Sequence, residues 1–343
     1  MFKKMRIGIQ KRDNSFSEGW IEYCKKNNIE YKLVNAYQSD IVSQLADCDI
    51  FMWHFHHADY RDMQFAKSLL FSLEQSGMKV YPSCDTCWHF DDKVAQKYLL
   101  ESIKAPLVPS YVFYAEKDAM EWVKSTTFPK VFKLKGGAGA SNVKLVRSKE
   151  DATKLIKTCF GEGFKQYRYK EKIRETYRLY KKGKASLKDV LRPLYYGLVK
   201  KFPTEFDHYR GKEIGYAYFQ EFISGNEYDT RLIVIGGKYA FGEKRFVRAN
   251  DFRASGSGEF SYEDVDERIV EIAFDVAKRL KMQSIAFDFV YNQDKNPLII
   301  EISYGFGTKG ARKCPGYWTD DLQWHDGAGF DFFGWMVEGL LNS

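Results

Sequence analysis

The amino-acid sequence predicts an α/β protein whose first hundred residues form an open parallel sheet. From Met5 to Ser83, short apolar runs alternate with amphipathic helical segments, which is the pattern of βαβ units. The 343 residues, of which 44% are hydrophobic and 17% aromatic, suffice for a large packed core and for two or three domains. We therefore expect a globular chain with more than one domain.

The same sequence argues against a membrane-spanning or secreted protein. No run of eighteen apolar residues occurs, and the N-terminal MFKKMRIGIQ leads straight into a strand pattern without an apolar signal core. The six cysteines are scattered, as is typical of reduced thiols. Cys84 and Cys87 form a C-x-x-C motif, but no second ligand pair follows at zinc spacing. These features predict a cytoplasmic location.

The N-terminal elements alternate in a regular order. Strands are predicted at MRIGIQ, IEYKLVN, DIFMWHF and MKVYPS, and helices at SEGWIEYCKKNN, IVSQLAD and RDMQFAKSLLFSLEQSG. In such sheets ligands gather at the carboxyl ends of the strands, here near residues 10–15 and 54–59. The histidines of WHFHHAD are interpreted as strand-end residues that contact substrate or nothing, rather than as a metal site.

The chain changes character after Pro82. DDKVAQKYLLESI reads as a helix that opens with aspartate, and APLVPSYVFY leads into a new domain. TFPKVFKLKGGAGASNVKLV predicts two strands around a glycine-rich loop. A basic, tyrosine-rich segment follows over 161–215, with 15 Lys or Arg against 7 Asp or Glu, and holds the whole positive excess of the protein.

The C-terminal third returns to strands. GYAYFQEFIS and YDTRLIVIGGKYAFGEKRFV are predicted strands, with Gly236 and Gly237 forming a tight hairpin. The helix DVDERIVEIAFDVAKRL precedes FDFVYNQDKNPLIIEISYGFG, and a last helix is expected at GWMVEGLL. The predicted domains are 1–90, 91–220 with a basic helical insertion at 161–215, and 221–343.

Two acids lie inside the apolar strands of FDFVYNQDKNPLIIEISYGFG. A lone buried carboxylate costs several kcal/mol, of order 3–5, so Asp288 and Glu301 need a compensating cation. Together with Ser303, two residues beyond Glu301 on the same face, they form an all-oxygen set suited to Mg²⁺. The alternative is that arginines satisfy both acids.

Three other segments carry candidate chemistry. Lys133 precedes the loop GGAGAS, whose backbone N–H groups could cradle phosphate, although hairpins use the same residues. The connector from Gln220 to Glu227 offers backbone groups to an adenine edge, and its alternative is a solvated linker. The segment KRFVRANDFRASGSG contains four closely spaced basic residues, which fit a phosphate site but equally an exposed basic face.

Taken in order, these motifs resemble the ATP-grasp superfamily of carboxylate–amine ligases. The resemblance covers residues 93–307 and is closest to the glutamate-adding ligases and D-alanine–D-alanine ligase. It implies an ATP-grasp fold with an N-terminal Rossmann-like domain, a small nucleotide-lid subdomain and a C-terminal metal-binding sheet. It also implies ATP and Mg²⁺ as cofactors, with Mn²⁺ as the alternative metal.

The resemblance assigns roles residue by residue. Asp288, Glu301 and Ser303 would hold the metal, and Arg253, with Arg231 and Arg245, would offset charge on the transferring phosphate. The remaining residues would bind ATP at its phosphates, adenine or ribose: Lys93, Lys133, Lys135, Gly137, Ala138, Gly139, Ala140, Ser141, Gln220, Glu221, Phe222, Ile223 and Glu227.

The chain departs from the family pattern at several positions. Ala140 and Asn142 stand where relatives often have glycine. Ser303 replaces the usual asparagine ligand, and Ala286 replaces an arginine that some members carry. These departures concern catalytic detail more than nucleotide binding.

The resemblance implies a ligase that activates a carboxylate as an acyl phosphate and joins it to an amine. The substrates would be a small-molecule or glycan carboxylate and an amine. The tail CPGYWTDDLQWHDGAGF resembles those of ATP-grasp proteins of bacterial surface-polysaccharide pathways, which implies modification of a surface glycan or its precursor with an amino acid; the alternative is that its aromatic residues pack the core of a C-terminal cap. The alternatives to a ligase are a kinase acting on a hydroxyl acceptor and a non-catalytic nucleotide-binding regulator.

The basic segment 161–215 would meet an anionic membrane surface, giving peripheral membrane association, or an acidic glycan; the alternative is a solvated helical insertion without a partner. No nucleic-acid partner is expected.

Overall fold

The protein is described by a computed structural model over residues 5–136, 142–165, 173, 176–177, 180–181, 186–199, 209, 211–248, 252–254 and 259–343. The chain divides into two compact units. The first contains Met1–His56, Arg61–Val108 and Ile223–Ser343, and the second contains His57–Tyr60 and Pro109–Phe222. The three-part division with boundaries at 90 and 220 stays a prediction.

The first unit begins with the predicted parallel sheet. Its strand order is β2-β1-β3-β4, and the strands are β1 (Arg6–Gln10), β2 (Glu30–Val34), β3 (Ile50–Trp53) and β4 (Lys79–Tyr81). Strand β3 is buried along its whole length, as is usual where helices cover both faces of a parallel sheet. The intervening helices are Phe16–Lys26, Ile41–Gln44 and Tyr60–Gln75. The predicted βαβ organisation is confirmed.

Two helices follow, Cys84–Cys87 and Lys93–Ser102. Asp92 caps the second helix by accepting a hydrogen bond from the Ala95 N–H at 3.0 Å. Gln96 connects this helix to its surroundings: its side-chain oxygen accepts from the Ile302 N–H at 3.3 Å, and its amide donates to the His89 carbonyl at 3.3 Å. These contacts fix the first helical turn, which carries Lys93.

The first unit also contains an antiparallel sheet of seven described strands. Strands β15, β14, β11, β12, β16 and β17 lie side by side in that order, and β13 pairs with β12. Their bounds are β11 (Tyr228–Ile235), β12 (Tyr239–Phe246), β13 (Phe260–Ser261), β14 (Ser284–Tyr291), β15 (Pro297–Ser303), β16 (Gly316–Thr319) and β17 (Trp324–Asp326).

The turn between β11 and β12 is the hairpin that the sequence predicts. Gly236 and Gly237 have φ values of 59° and 66°, which favour glycine at both central positions of such a turn. Helix Glu267–Arg279 packs on β11 and β14, and Thr308–Ala311 lies against β12. Helix Phe332–Leu341 packs against Phe16–Lys26.

The second unit is a four-stranded antiparallel sheet with helices on it. Its order is β5-β10-β6-β7, with β5 (Ser110–Phe113), β6 (Lys130–Lys133), β7 (Val143–Val146) and β10 (Ala217–Glu221). Helices Glu116–Ser125 and Lys149–Phe160 share its core. Strands β8 (Phe164–Lys165) and β9 (Lys212–Glu213) pair separately, and the basic segment contains helix Leu187–Val199. Among the described residues, no helix has the length and apolar content that crossing a bilayer requires.

Candidate functional site

The two acids predicted to bind a metal, Asp288 and Glu301, are direct cross-strand neighbours in the first unit. Asp288 in β14 pairs with Glu301 in β15, and a bulge follows immediately after Asp288. On the other side, Asp288 pairs with Arg231 of β11, which in turn pairs with Glu243 of β12. Paired residues project from the same face of a sheet, so four charged side chains form a row across four strands.

Asp288 is held by two arginines. Its Oδ1 accepts from Arg231 Nε at 2.8 Å, and its Oδ2 accepts from Arg231 Nη2 at 2.9 Å and from Arg245 Nη2 at 2.8 Å. Burial raises the pKa of Asp288, but the two guanidinium groups outweigh burial and bring it below its usual range. The carboxylate is therefore ionised at neutral pH.

Arg245 is a second centre of this network. Its Nε and Nη2 donate to the two carboxylate oxygens of Asp229 at 2.6 and 2.7 Å. Burial lowers the pKa of Arg245, but Asp288 and Asp229 raise it by more. The predicted role of Arg231 and Arg245 at the transferring phosphate stays a prediction, since both guanidinium groups bind carboxylates in this structure.

Glu301 has its own cation. Lys93 Nζ lies 3.2 Å from Glu301 Oε1, and the Lys93 side chain is 5% exposed while that of Glu301 is 32% exposed. Burial lowers the pKa of Lys93, but Glu301 and Asp91 raise it by more. Lys93 is thus a buried ammonium whose carboxylate partner still reaches solvent.

Ser303 pairs with Ala286 near the end of the same strands. Its hydroxyl donates to the Gly305 carbonyl at 2.7 Å. Because this bond uses the proton, the lone pairs of Oγ stay available to a ligand.

These residues fit a divalent cation that prefers oxygen ligands. A carboxylate has about four acceptor positions, and Asp288 uses three of them. Glu301 has further positions beside its lysine contact. No group of three or more His, Cys, Asp or Glu suited to a metal occurs within the described part of the chain, so a serine or ligand oxygen would complete the set.

Glu243 differs from the other acids of the row. It is 5% exposed, and its Oε2 is buried without a hydrogen-bond partner among the described residues. Burial raises the pKa of Glu243, and the nearby Arg231 and Arg245 lower it by less. Sequence analysis did not select Glu243, because its neighbours become apparent only once the strand register is known.

The second unit contains the predicted phosphate-binding lysine. Lys133 Nζ donates to the Gln220 side-chain oxygen at 2.6 Å, and the Gln220 amide donates to Ser110 Oγ at 3.0 Å. All three side chains are buried. Lys133 is therefore fixed by a neighbouring strand rather than left to move in solvent.

Glu221 ends strand β10 and is engaged by residues that the sequence did not single out. Lys130 Nζ lies 2.7 Å from Glu221 Oε1, and the Tyr111 hydroxyl donates to that oxygen at 3.0 Å. Burial and this hydrogen bond raise the pKa of Tyr111. Lys130 and Glu221 are register partners of β6 and β10, a relation that cannot be deduced from their separation of 91 residues.

The other predicted nucleotide contacts range from half-buried to exposed. The N–H of Lys135 donates to the Tyr216 hydroxyl at 2.5 Å. Phe222 and Ile223 are half-buried, and Glu227 is exposed. The predicted loop positions lie outside the described residues: Gly137, Ala138, Gly139, Ala140 and Ser141.

Arg253 is half-buried, and its carbonyl accepts from the Arg248 N–H at 3.1 Å. Its guanidinium carbon lies 5.9 Å from the centre of the Phe252 ring. The structure gives Arg253 a defined backbone contact but does not test its predicted role.

Comparison with known proteins gives a consistent result. The RimK-like ATP-grasp domain profile matches residues 212–318, whereas no curated protein sequence matches the chain. A RimK domain ATP-grasp protein from Sphaerobacter thermophilus DSM 20745 is similar, with a TM-score of 0.55, 15% identity and coverage of 98% of this chain and 99% of that one.

Two ligase structures are similar over most of their length as well. D-alanine–D-alanine ligase from Bacillus anthracis has a TM-score of 0.57 and 14% identity, covering 98% of each chain. The ATP-grasp ligase PsnB with minimal precursor, Mg and ADP has a TM-score of 0.54 and 12% identity, covering 98% of this chain and 97% of that one. At these identities the likeness establishes the fold, and the resemblance predicted from the sequence is confirmed. The chain therefore has the ATP-grasp fold and contains a RimK-like ATP-grasp domain.

Proposed function

We propose that the protein is an ATP-dependent ligase that forms an amide bond between a carboxylate and an amine. The observation that carries this proposal is the cross-strand pair Asp288–Glu301 within an ATP-grasp fold. Each acid of the pair lies beside a fixed cation and keeps acceptor positions for a metal.

In the proposed reaction, an oxygen of the substrate carboxylate attacks the γ-phosphorus of ATP, and the bond to the β-phosphate oxygen breaks to give ADP and an acyl phosphate. The amine nitrogen then forms a bond to the acyl carbon, inorganic phosphate leaves, and the nitrogen loses a proton. This sequence needs no side-chain nucleophile. It needs positioned charge and exclusion of water.

The described side chains can supply positioned charge. Asp288, Glu301 and Ser303 would hold Mg²⁺, which when bound offsets the negative charge of the phosphates. The resemblance implies that Lys93 and Lys133 each contact ATP phosphates, and each ammonium group is held by a neighbouring side chain. Arg231 and Arg245 keep Asp288 ionised and oriented, so the metal ligand needs no reorganisation when ATP arrives.

We further propose that one substrate is a bacterial surface glycan or its precursor. Support comes from the C-terminal strands β16 and β17, where aromatic side chains reach the surface. Trp324 is 37% exposed, and its ring centre lies 4.4 Å from that of Trp318. The Tyr317 ring stacks on the His325 ring with 5.2 Å between their centres. Aromatic faces of this kind suit stacking on sugar rings.

The decisive experiment is trapping of the acyl phosphate. The wild-type protein is incubated with ATP, Mg²⁺, hydroxylamine and a panel of uronic acids and amino acids, and hydroxamate is measured. We expect hydroxamate with at least one acid, and a loss of 100-fold or more in Glu301→Gln. Glu271→Gln, on the exposed face of helix Glu267–Arg279, is the matched control.

Other outcomes would identify the alternatives. ADP formation with a hydroxyl acceptor and no hydroxamate would indicate a kinase. Tight ATP–Mg²⁺ binding without ADP formation across the panel would indicate a regulator. Full activity in Glu301→Gln would refute the metal assignment.

We also propose that helix Leu187–Val199 docks on an anionic lipid surface. Leu187, Leu191 and Tyr195, at four-residue spacing, are 56%, 52% and 57% exposed, and such spacing places them on one helix face. The segment 161–215 that contains this helix has a net charge of +8 from 15 basic and 7 acidic residues. An apolar stripe within a basic segment suits an anionic membrane interface better than a soluble acidic glycan.

Vesicle co-sedimentation tests this docking. We expect binding to phosphatidylserine-containing vesicles, at least tenfold weaker binding to pure phosphatidylcholine, and a tenfold loss when Leu187 and Leu191 are both changed to Ser. Val42→Ser, at an exposed apolar position of the first unit, is the control. Binding to hyaluronate but not to vesicles would favour the acidic glycan and refute lipid docking.

A further inference from the structure

Glu243 is a buried carboxylate next to the candidate metal site that the proposed phosphoryl chemistry does not use. It continues the row of charged side chains by pairing with Arg231 across β11 and β12. It is 95% buried, and its Oε2 has no hydrogen-bond partner among the described residues. A buried carboxylate that lacks a partner destabilises the folded state, so its presence needs a reason.

The neighbouring cations are already engaged elsewhere. Arg231 donates two hydrogen bonds to Asp288, and Arg245 divides its donors between Asp229 and Asp288. Within the described part of the chain, neither arginine lies within ion-pair distance of Glu243. Among the described residues, Glu243 is thus the acid of the row that has no ion-pair partner.

The backbone of Gly310 lies directly against one side of this carboxylate. A Cβ atom added at Gly310 would lie 1.6 Å from Glu243 Oε2, so any larger residue at 310 would displace the acid. The Tyr262 hydroxyl donates to the Gly310 carbonyl at 3.0 Å and holds this turn in place. Gly310, held by Tyr262, therefore defines the position of the Glu243 carboxylate.

We infer that Glu243 binds the amino group of the second substrate, as an ammonium or primary amine, and determines the enzyme's preference for such a nucleophile. This inference rests on the proposed ligase function and names the residue that recognises its amine. The missing partner of Glu243 would be the substrate cation itself. Substrate binding would be favourable here, because the buried carboxylate has already lost its hydration in the free enzyme and gains a cationic partner only when the substrate binds. An ammonium has no lone pair, so the bound group would first transfer one proton to the Glu243 carboxylate, and the neutral amine nitrogen would then form the bond to the acyl carbon as phosphate leaves.

The test separates amine recognition from carboxylate activation. Hydroxylamine is uncharged at neutral pH and traps the acyl phosphate without an ammonium site. Glu243→Gln keeps the shape of the side chain and removes its charge. We expect hydroxamate formation within twofold of wild type, and a KM for the coupled primary amine raised at least tenfold with little change in the KM for ATP.

A second variant tests the position of the Glu243 carboxylate instead of its charge. Gly310→Ala keeps Glu243 but pushes its carboxylate aside, and it should also raise the KM for the amine while hydroxamate formation persists. Glu243→Asp, which keeps the charge, should recover part of the selectivity for primary amines over hydroxylamine.

The outcomes are distinct. If the wild type forms no hydroxamate with any acid, the proposed function fails, and the inference fails with it. If the wild type forms hydroxamate and Glu243→Gln keeps the wild-type KM for the amine, the inference alone is overturned. An equal loss of hydroxamate and amide formation in Glu243→Gln would assign Glu243 a structural role and would likewise overturn it.

Discussion

His89 should make the stability of the first unit depend strongly on pH. The ring is fully buried in the segment before helix Lys93–Ser102, and neither ring nitrogen has a hydrogen-bond partner among the described residues. Burial, helped by the charge of Lys67, lowers the pKa of His89 to about 3 from its ordinary value of 6.5. The folded protein therefore keeps this ring neutral, whereas the unfolded chain protonates it below pH 6.5.

The sign and size of the effect follow from this difference in pKa. Because the folded pKa is depressed, the stability is fully present above pH 6.5 and falls as the pH drops toward 3. Each pH unit below 6.5 favours the protonated unfolded chain by about 1.4 kcal/mol, so lowering the pH from 7 to 5 should cost about 2 kcal/mol at this residue.

Urea unfolding of wild type and His89→Leu at pH 7 and pH 5 measures this contribution. We expect the free energy of unfolding of the wild type to fall by about 2 kcal/mol more than that of the variant over this interval. His325→Leu, at an exposed histidine, should retain the wild-type pH dependence. Equal losses in wild type and His89→Leu would show that His89 is not held neutral by burial.

Four further predictions concern single residues. Lys130→Met should weaken ATP binding about tenfold in calorimetry, because the nearby Glu221 loses its cation. Arg245→Met should lower the free energy of unfolding by about 3–5 kcal/mol, since it leaves the buried Asp229 unpaired, whereas Arg268→Met, in an exposed ion pair, should change it by about 1 kcal/mol or less. Gly237→Ala should destabilise by about 1 kcal/mol because φ is positive there. An alanine at Gly339, in a helix with open space around it, should stabilise by about 0.5–1 kcal/mol.

The sequence predicts the strands and helices well, but it predicts less well which strands pair with each other. The strand–helix alternation predicts the parallel sheet, and the polar turn at 292–297 brings Asp288 opposite Glu301, because a hairpin sets the register of its own strands. Long-range register is a different matter. The contact of Arg245 with Asp288 depends on β11 lying between their strands, and no local pattern specifies this order.

The same reasoning explains which site residues the sequence missed. Lys130 looked like an ordinary strand lysine, and only the pairing of β6 with β10 places it on Glu221. Glu243 was not selected from the sequence, and the basic stretch that starts at the next residue, Lys244, could equally have been an exposed face. In the structure Glu243 and Arg245 are both buried.

The buried acids of this sheet do not depend on a metal for their stability. Among the described side chains, Asp229 and Asp288 are matched by arginines, and Glu301 is matched by Lys93. A divalent cation would therefore add to a network that is already balanced, and its affinity should depend on the phosphates that accompany it. Glu243 is the exception, because no cation of the described residues lies within ion-pair distance of it. An acid that the described side chains leave unpaired beside the candidate reaction centre is explained by a partner that arrives with the substrate.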